Sequence, residues 1–181
     1  PSISKPFISI KVEESVFVGF PAFYNPIINP DDIPIYGEIT AIVNNDIKHD
    51  TYSLYIIFNE TGIARCSIHW TLADLPDKNV DITVKEFKPV KDVDIASTTF
   101  VTSSSIMRHA LAPTIYPLDA SIKEPLNWSV IGENHYGITF EGNTMITPSE
   151  IDDTVLIKAI IPNGMGYNKQ FYKQFNIVLT K

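Results

Sequence analysis

The chain has 181 residues, of which 44% are hydrophobic and 19% charged, and it carries a formal net charge of −7 at pH 7. Such a composition can bury real cores, which excludes a chain that is disordered throughout. The acidic balance excludes a binder of nucleic-acid phosphates, which needs a basic face, and no stretch approaches the roughly 20 apolar residues that span a bilayer. We therefore expect neither a nucleic-acid partner nor insertion into a membrane.

Alternating apolar and polar residues predict short β-strands along the whole chain, and no long run has the spacing of an amphipathic helix. In the first half the apolar positions are Ile8, Ile10 and Val12, then Ile39, Ala41 and Val43, then Tyr52, Leu54, Ile56 and Phe58, then residues 63–70, then Val80, Ile82 and Val84. In the second half they are Leu126, Trp128 and Val130, then Ile138 and Phe140, then Val155, Ile157, Ala159 and Ile161, then Phe175, Ile177 and Leu179. Strands of this spacing, separated by Gly and Pro, indicate an all-β sandwich or barrel.

The charged segment EFKPVKDVDIAS, residues 86–97, is predicted to join two modules. It carries Pro89, and it follows a strand that reads as the last of its group. A division after residue 90 gives domains 1–90 and 91–181. Each is close to the ~100 residues of an immunoglobulin-like sandwich, so the sequence predicts two such β-sandwiches in tandem.

An internal echo supports this division. Two predicted strands of the first half recur in the second half with their apolar positions kept: Ile39, Ala41 and Val43 recur as Leu126, Trp128 and Val130, and residues 62–68 recur as residues 154–160. The two halves are therefore expected to share one arrangement of strands, the first being the more divergent.

Five short motifs stand in a fixed order in the second half: PLDA at 117–120, LNWSV at 126–130, GITFEGNT at 137–144, AIIPNG at 159–164 and KQFNIVL at 173–179. In this order they resemble the bacterial immunoglobulin-like (Big-type) repeats that stand in tandem on large surface and secreted proteins. The resemblance covers residues 92–181. It implies a spacer, adhesion or carbohydrate-proximal module without conserved catalytic residues.

No motif for catalysis is visible. The nucleophile elbow GxSxG, the P-loop and the dinucleotide fingerprint are absent, and the four histidines are scattered without the spacing of metal ligands. Cys66 is the one cysteine, so no internal disulfide forms, and its mid-strand position predicts a buried small side chain. We expect a chain that is not an enzyme.

The candidate binding residues are aromatic. The stretch GFPAFYNP, residues 19–26, places Phe20, Phe23 and Tyr24 among prolines, and a restricted backbone would present exposed rings at low entropic cost. The alternative is a strand that crosses between sheets with Phe20 and Phe23 buried. Trp70, at the end of a predicted strand, is the fourth candidate, with packing in a core or at an edge as its alternative.

Trp128 is predicted to anchor a core, because Leu126 and Val130 share its strand face. The acidic residues Glu150, Asp152 and Asp153 form the best candidate for a calcium site, since Ca²⁺ takes several oxygen ligands. Solvated turn charges are the alternative there, and no other cofactor is expected.

Together these patterns favour a non-catalytic tandem module of a bacterial cell-surface or secreted protein. It would act as a stalk or spacer, or as an adhesion or recognition segment with a protein or glycan ligand. One alternative is a carbohydrate-binding accessory module of a secreted enzyme, with exposed aromatics drawn from Tyr24, Tyr36, Trp70 and Tyr136. Another is a structural module of a phage or secretion apparatus.

Overall fold

The computed structural model describes residues 12–23, 37–50, 55–70 and 77–181, which form fourteen β-strands and no helix. Accordingly, this part of the chain has no helix that could cross a membrane. The chain divides into two compact units, Pro1–Phe87 and Lys88–Lys181, here called unit 1 and unit 2. The prediction of an all-β protein is confirmed.

Unit 1 contains a five-stranded sheet. Its strands are β1 (Ser15–Phe17), β2 (Gly37–Val43), β3 (Asp46–Asp50), β4 (Gly62–Trp70) and β5 (Lys78–Lys85), in the spatial order β1-β5-β4-β2-β3. β1 runs parallel to β5, and the other neighbours are antiparallel. Asn44 and Asn45 join β2 to β3 with φ angles of 47° and 65°. Positive φ at both positions defines a type I′ turn, which asparagine tolerates.

The interior of unit 1 follows the predicted alternation. On the sheet the buried apolar side chains are Val16, Ile39, Ala41, Val43, Ala64, Cys66, Ile68, Ile82 and Val84. Two further segments bond to each other, since Gly19 donates to the Phe58 carbonyl oxygen at 2.9 Å and Ala22 to that of Ile56 at 3.0 Å. These segments contribute the fully buried rings of Phe23 and Phe58. The predicted strand positions Ile8, Ile10, Tyr52 and Leu54 lie outside the described residues.

Unit 2 has nine strands: β6 (Asp92–Asp94), β7 (Thr99–Val101), β8 (Met107–Ala110), β9 (Thr114–Tyr116), β10 (Asn127–Val130), β11 (Thr139–Glu141), β12 (Thr144–Thr147), β13 (Asp153–Gly166) and β14 (Lys169–Thr180). They form a four-stranded sheet β10-β13-β14-β7, a three-stranded sheet β11-β12-β8 and a pair β6-β9. One continuous core joins these sheets, with Trp128, Met145, Ile157 and Ile177 among its buried members. Unit 2 is therefore a β-sandwich.

Strand order identifies the kind of sandwich. In unit 2 the sheets β8-β12-β11 and β10-β13-β14 reproduce the B-E-D and C-F-G sheets of the immunoglobulin fold, with β7 added parallel to the last strand. In unit 1 the neighbours β2-β4-β5-β1 repeat the order β10-β13-β14-β7. The two tandem immunoglobulin-like modules predicted from the sequence are confirmed.

The internal echo corresponds to this shared order. β2 and β10 hold one position in the two sheets, and β4 and β13 hold the next. Ala41 lies opposite Cys66 in unit 1, and Trp128 lies opposite Ala159 in unit 2. The pair in unit 2 thus contains one large residue, Trp128, whereas both residues of the pair in unit 1 are small.

The division between the two units, after Phe87, falls within the predicted junction over residues 86–97. From Lys88 onward the backbone belongs to unit 2: the Val90 amide donates to the Gly164 carbonyl oxygen at 2.7 Å and the Lys91 amide to that of Tyr116 at 2.8 Å. Val90 and Val93 are 1% and 0% exposed. The apolar residues between the charges of this segment therefore enter the core of unit 2.

Candidate functional site

The structure places two of the four candidate binding aromatics in the interior. Phe20 is 9% exposed and Phe23 is 1% exposed. This is the buried arrangement that the sequence left open as the alternative, and it removes both rings from an exposed platform. Tyr24 lies outside the described residues. Trp70 is the last residue of β4, where its backbone pairs with Gly37.

Phe20 belongs to a cluster of three rings at one end of unit 1. Its ring centroid is 6.0 Å from that of Phe17 and 4.9 Å from that of Phe87, and the Phe17 and Phe87 centroids are 5.8 Å apart. The two pairs that Phe17 makes are edge-to-face, and such packing adds about 0.5–1.5 kcal/mol per pair beyond the burial of area. The cluster ties β1 and the turn that follows it to Phe87, the last residue of unit 1.

Beside this cluster lies an open cleft of about 780 Å³ within unit 1, whose wall consists of Val18, Asn44, Asn59, Glu60, Thr61, Glu86 and Phe87. The Asn44 side-chain amide donates to the Thr61 carbonyl oxygen at 3.0 Å and to Glu60 Oε2 at 3.3 Å. The wall combines apolar surface from Val18 and Phe87 with amide and carboxylate groups, so it offers a small ligand both apolar contact and hydrogen-bonding partners. Sequence reasoning missed this cleft.

The three candidate calcium ligands do not converge. Glu150 Oε1 lies 3.3 Å from Lys181 Nζ. Asp153 accepts from the Tyr136 hydroxyl at 2.6 Å and from the Thr154 amide at 2.7 Å, and the Tyr136 hydrogen bond is the main reason that the pKa of Asp153 is lowered. Asp152 is exposed. Across the described residues, no three His, Cys, Asp or Glu side chains are grouped to hold a metal ion.

Trp128 forms part of the core, as predicted. Its side chain is 9% exposed, and its ring centroid is 5.8 Å from that of Phe175 on β14. The indole N–H donates to Asn143 Oδ1 at 2.9 Å. Asn143 lies in the turn between β11 and β12, so this hydrogen bond links the two sheets of unit 2.

Two buried side chains could carry chemistry, and their surroundings oppose it. Burial and, to a smaller extent, Asp81 raise the pKa of the Cys66 thiol to about 11, so little thiolate forms at neutral pH. His109 is buried, its Nε2 lies 3.0 Å from Thr147 Oγ1, and its ring contacts Phe100. Burial lowers the pKa of His109, which favours the neutral imidazole.

No family model matches the chain. Nor does any curated protein match it. Solved structures are similar at low identity: the fibronectin(III)-like modules of Clostridium thermocellum CbhA, with 11% identity and a TM-score of 0.43, cover 96% of this chain and 95% of that one. The Ig1-2 module of the Drosophila receptor protein tyrosine phosphatase DLAR has 14% identity and a TM-score of 0.32, covering 99% and 97%.

A third similar structure contains more domains than this chain. Sidekick-1 immunoglobulin domains 1-5 have 12% identity and a TM-score of 0.37, and the match covers 98% of this chain but only 40% of the Sidekick-1 chain. This chain thus spans less than half of that structure.

Proposed function

We propose that the chain is a non-catalytic pair of immunoglobulin-like modules in a bacterial cell-surface or secreted protein, where it acts as a stalk or spacer, or as an adhesion segment. The location rests on the resemblance of residues 92–181 to Big-type repeats. The mechanical role rests on one structural observation, which is the path of the backbone through unit 2.

The backbone crosses unit 2 from one pole to the other. At the entry, the Val90 amide bonds to Gly164 at the tip of the β13–β14 hairpin. At the exit, Lys181 lies beside Glu150, at the opposite end of that hairpin. The two poles are separated by the length of β14, which is about 40 Å for a strand of its 12 residues. A unit threaded in this way adds length to a chain of modules.

The same path makes unit 2 suited to tension. β7 runs parallel to β14, so a pull on the two ends slides these strands past each other. Their linking hydrogen bonds, from the Val178 amide to the Thr98 oxygen at 2.8 Å and from the Thr102 amide to the Thr180 oxygen at 2.7 Å, are then stretched together. Unit 1 repeats this geometry with β1 parallel to β5.

Single-molecule force spectroscopy tests the mechanical role. Pulling on the chain ends should unfold unit 2 in one resolved force peak that releases about 300 Å of chain, since its residues Lys88–Lys181 each extend by about 3.4 Å. Val178→Pro removes the amide that donates to the Thr98 carbonyl oxygen immediately before β7 and should lower the force of this peak.

Asn176→Pro is the matched control. Asn176 lies two residues earlier on β14, so its amide points to the same side of the strand as that of Val178, but the described pairing with β7 has not begun there. A similar loss of force in both variants, or extension without a resolved peak, would contradict the mechanical role.

The proposed location is tested separately. An antibody against the folded chain should label intact cells of the source organism or detect the protein in the culture medium. Recovery of the protein from the cytosolic fraction alone would contradict a surface or secreted role, whatever the force measurements show.

Recognition of a glycan at the cleft of unit 1 is a second candidate, favoured by the amides and carboxylates beside Phe87. Binding on a glycan array should be lost in Asn59→Ala and Glu86→Ala and kept in Asn79→Ala, an exposed position elsewhere in unit 1. An intact chain that binds no glycan, or cleft variants that bind as well as the original, would eliminate this candidate and leave the stalk role standing.

A further inference from the structure

β3 is an edge strand of the unit 1 sheet, and no other strand in the described part of the chain pairs with its outer side. The type I′ turn closes on the pair Val43 and Asp46, and in such a hairpin the closing pair is hydrogen-bonded. Alternate residues therefore direct their backbone groups to opposite sides. Asp46 and Lys48 direct theirs toward β2, while Ile47 and His49 direct theirs outward.

Isoleucines mark this edge on the outer face of the sheet. Ile47 is 65% exposed and lies opposite Ile42 on β2, which is 45% exposed. The neighbours of Ile42 along β2, Ala41 and Val43, are buried at 0% and 2%. An apolar pair thus lies in solvent beside a strand edge that no other described strand covers, which is the arrangement that accepts a further strand.

We propose that β3 pairs antiparallel with β3 of a second copy of this chain, about a two-fold axis at Ile47. The two five-stranded sheets then join into one, and a row Ile42–Ile47–Ile47–Ile42 crosses the junction. Asp46 of each copy lies opposite Lys48 of the other, so both charged pairs across the axis are attractive. The proposal goes beyond the stalk role and does not depend on it.

The charges of β3 select this register. In an antiparallel pair of edge strands, the residues whose backbone groups point outward lie opposite one another. Because these residues alternate along β3, the two-fold axis passes through a residue, here Ile47, Lys48 or His49, and not between two residues. An axis at Lys48 places Lys48 opposite Lys48 and Asp46 opposite Asp50, and like charges directly opposite destabilise a pair of strands. An axis at His49 pairs Lys48 with Asp50 but separates the two Ile47 side chains.

Within one chain, Lys48 Nζ already lies 3.0 Å from Asp46 Oδ2, so the two charged groups are on the same side of β3. In the proposed dimer the four charges of the two copies alternate in sign around the axis. A junction of a single strand pair is small, so we expect a weak, concentration-dependent dimer with a dissociation constant of about 10 µM to 1 mM.

Sedimentation equilibrium on the full chain, over about the same range of concentration, tests the proposal. The unmodified chain should be a dimer at the upper end of the range. Asp46→Lys and Lys48→Asp should each be monomeric alone, because each places like charges opposite one another. A mixture of these two variants should form a heterodimer, and the double variant D46K/K48D should dimerise again.

Two further variants locate the contact. Ile47→Lys should abolish the dimer, whereas Ile63→Lys, a 64% exposed isoleucine outside the row, should leave it intact. Asp50→Lys distinguishes the registers, since among the three only an axis at His49 places residue 50 opposite Lys48. An unmodified chain that stays monomeric throughout, a mixture of single variants without heterodimer, or loss of the dimer in Asp50→Lys with retention in Asp46→Lys would each overturn the proposal.

Discussion

Thr102 shows how one small side chain closes an end of unit 2. It is 3% exposed, its hydroxyl accepts from the Ile151 amide at 2.8 Å, and the same hydroxyl lies within donating distance of the Ile151 and Thr180 carbonyl oxygens, at 2.8 and 3.1 Å. The backbones at Ile151 and Thr180 thus converge on one hydroxyl oxygen, which a third segment supplies. Buried polar groups with this many partners are costly to remove.

Thr102→Val should lower the free energy of unfolding of unit 2 by roughly 1–3 kcal/mol, because it keeps the shape of the side chain but leaves the buried Ile151 amide without an acceptor. Chemical denaturation followed by tryptophan fluorescence in a Trp70→Phe background, where Trp128 is the one remaining tryptophan, measures the change. Thr99→Val, an exposed threonine on β7, is the control, expected to stay within about 0.5 kcal/mol. Equal effects at both positions would contradict the role of the Thr102 hydroxyl.

His109 gives unit 2 a dependence on pH. Burial lowers the pKa of His109 in the folded state below the ordinary value of 6.5. At a pH between the lowered pKa and 6.5, His109 is therefore protonated in the unfolded chain and neutral in the folded chain. The stability contributed by neutral His109 is therefore present above pH 6.5 and is lost as the pH falls toward the lowered pKa.

His109→Gln should accordingly lose less stability than the unmodified chain between about pH 7 and about pH 5, since glutamine does not titrate. Urea unfolding at a series of pH values measures this difference. Parallel curves for the two proteins would show that His109 does not carry the effect.

At the scale of elements, the hairpin of β11 and β12 acts as a clamp on the sandwich. Its turn holds Gly142 at φ 56° followed by Asn143, and positive φ at the first of two turn residues is typical of a type II′ turn. In this turn the side-chain oxygen of Asn143 accepts a hydrogen bond from the Trp128 indole N–H. The backbone carbonyl oxygen of Asn143 accepts a second one from the Leu111 amide at 3.0 Å. The position of Asn143 therefore depends on the backbone freedom of Gly142.

Gly142→Ala should destabilise unit 2 by about 1–2 kcal/mol. A Cβ at Gly142 would meet nothing within 4 Å, so the cost comes from the positive φ alone and not from a clash. Thermal or urea unfolding provides the measurement, with the exposed Thr139→Ala on β11 as the control. A neutral effect of Gly142→Ala would mean that the turn relaxes without disturbing Asn143.

The long strands were predictable from the sequence, and the short ones were not. β13 spans 14 residues, and its period of two is plain in Val155, Ile157, Ala159 and Ile161, all of which are buried. β7 and β9 have three residues each, too few to display a period. Their existence is set by partners distant in the chain, such as β14 for β7, which a local pattern does not reveal.

At the scale of the whole molecule, the alternation of apolar and polar residues and the length of each half were enough to predict two immunoglobulin-like sandwiches. In each long strand the alternation indicates which face is buried. The cleft was beyond such reasoning. Val18, Asn44, Asn59 and Glu86 come from four separate stretches of the chain and have no common spacing. For Phe20, local composition allowed either exposure or burial, and the contacts with Phe17 and Phe87 decide for burial.

The deep placement of the one thiol has a practical consequence for bioconjugation. Cys66 is 4% exposed, and the pKa of its thiol is raised to about 11. Alkylating reagents should therefore not react with it at neutral pH. A cysteine introduced at either terminus would then be the single coupling point for a maleimide dye or a surface tether. The chain can be immobilised in a defined orientation without first deleting its native cysteine.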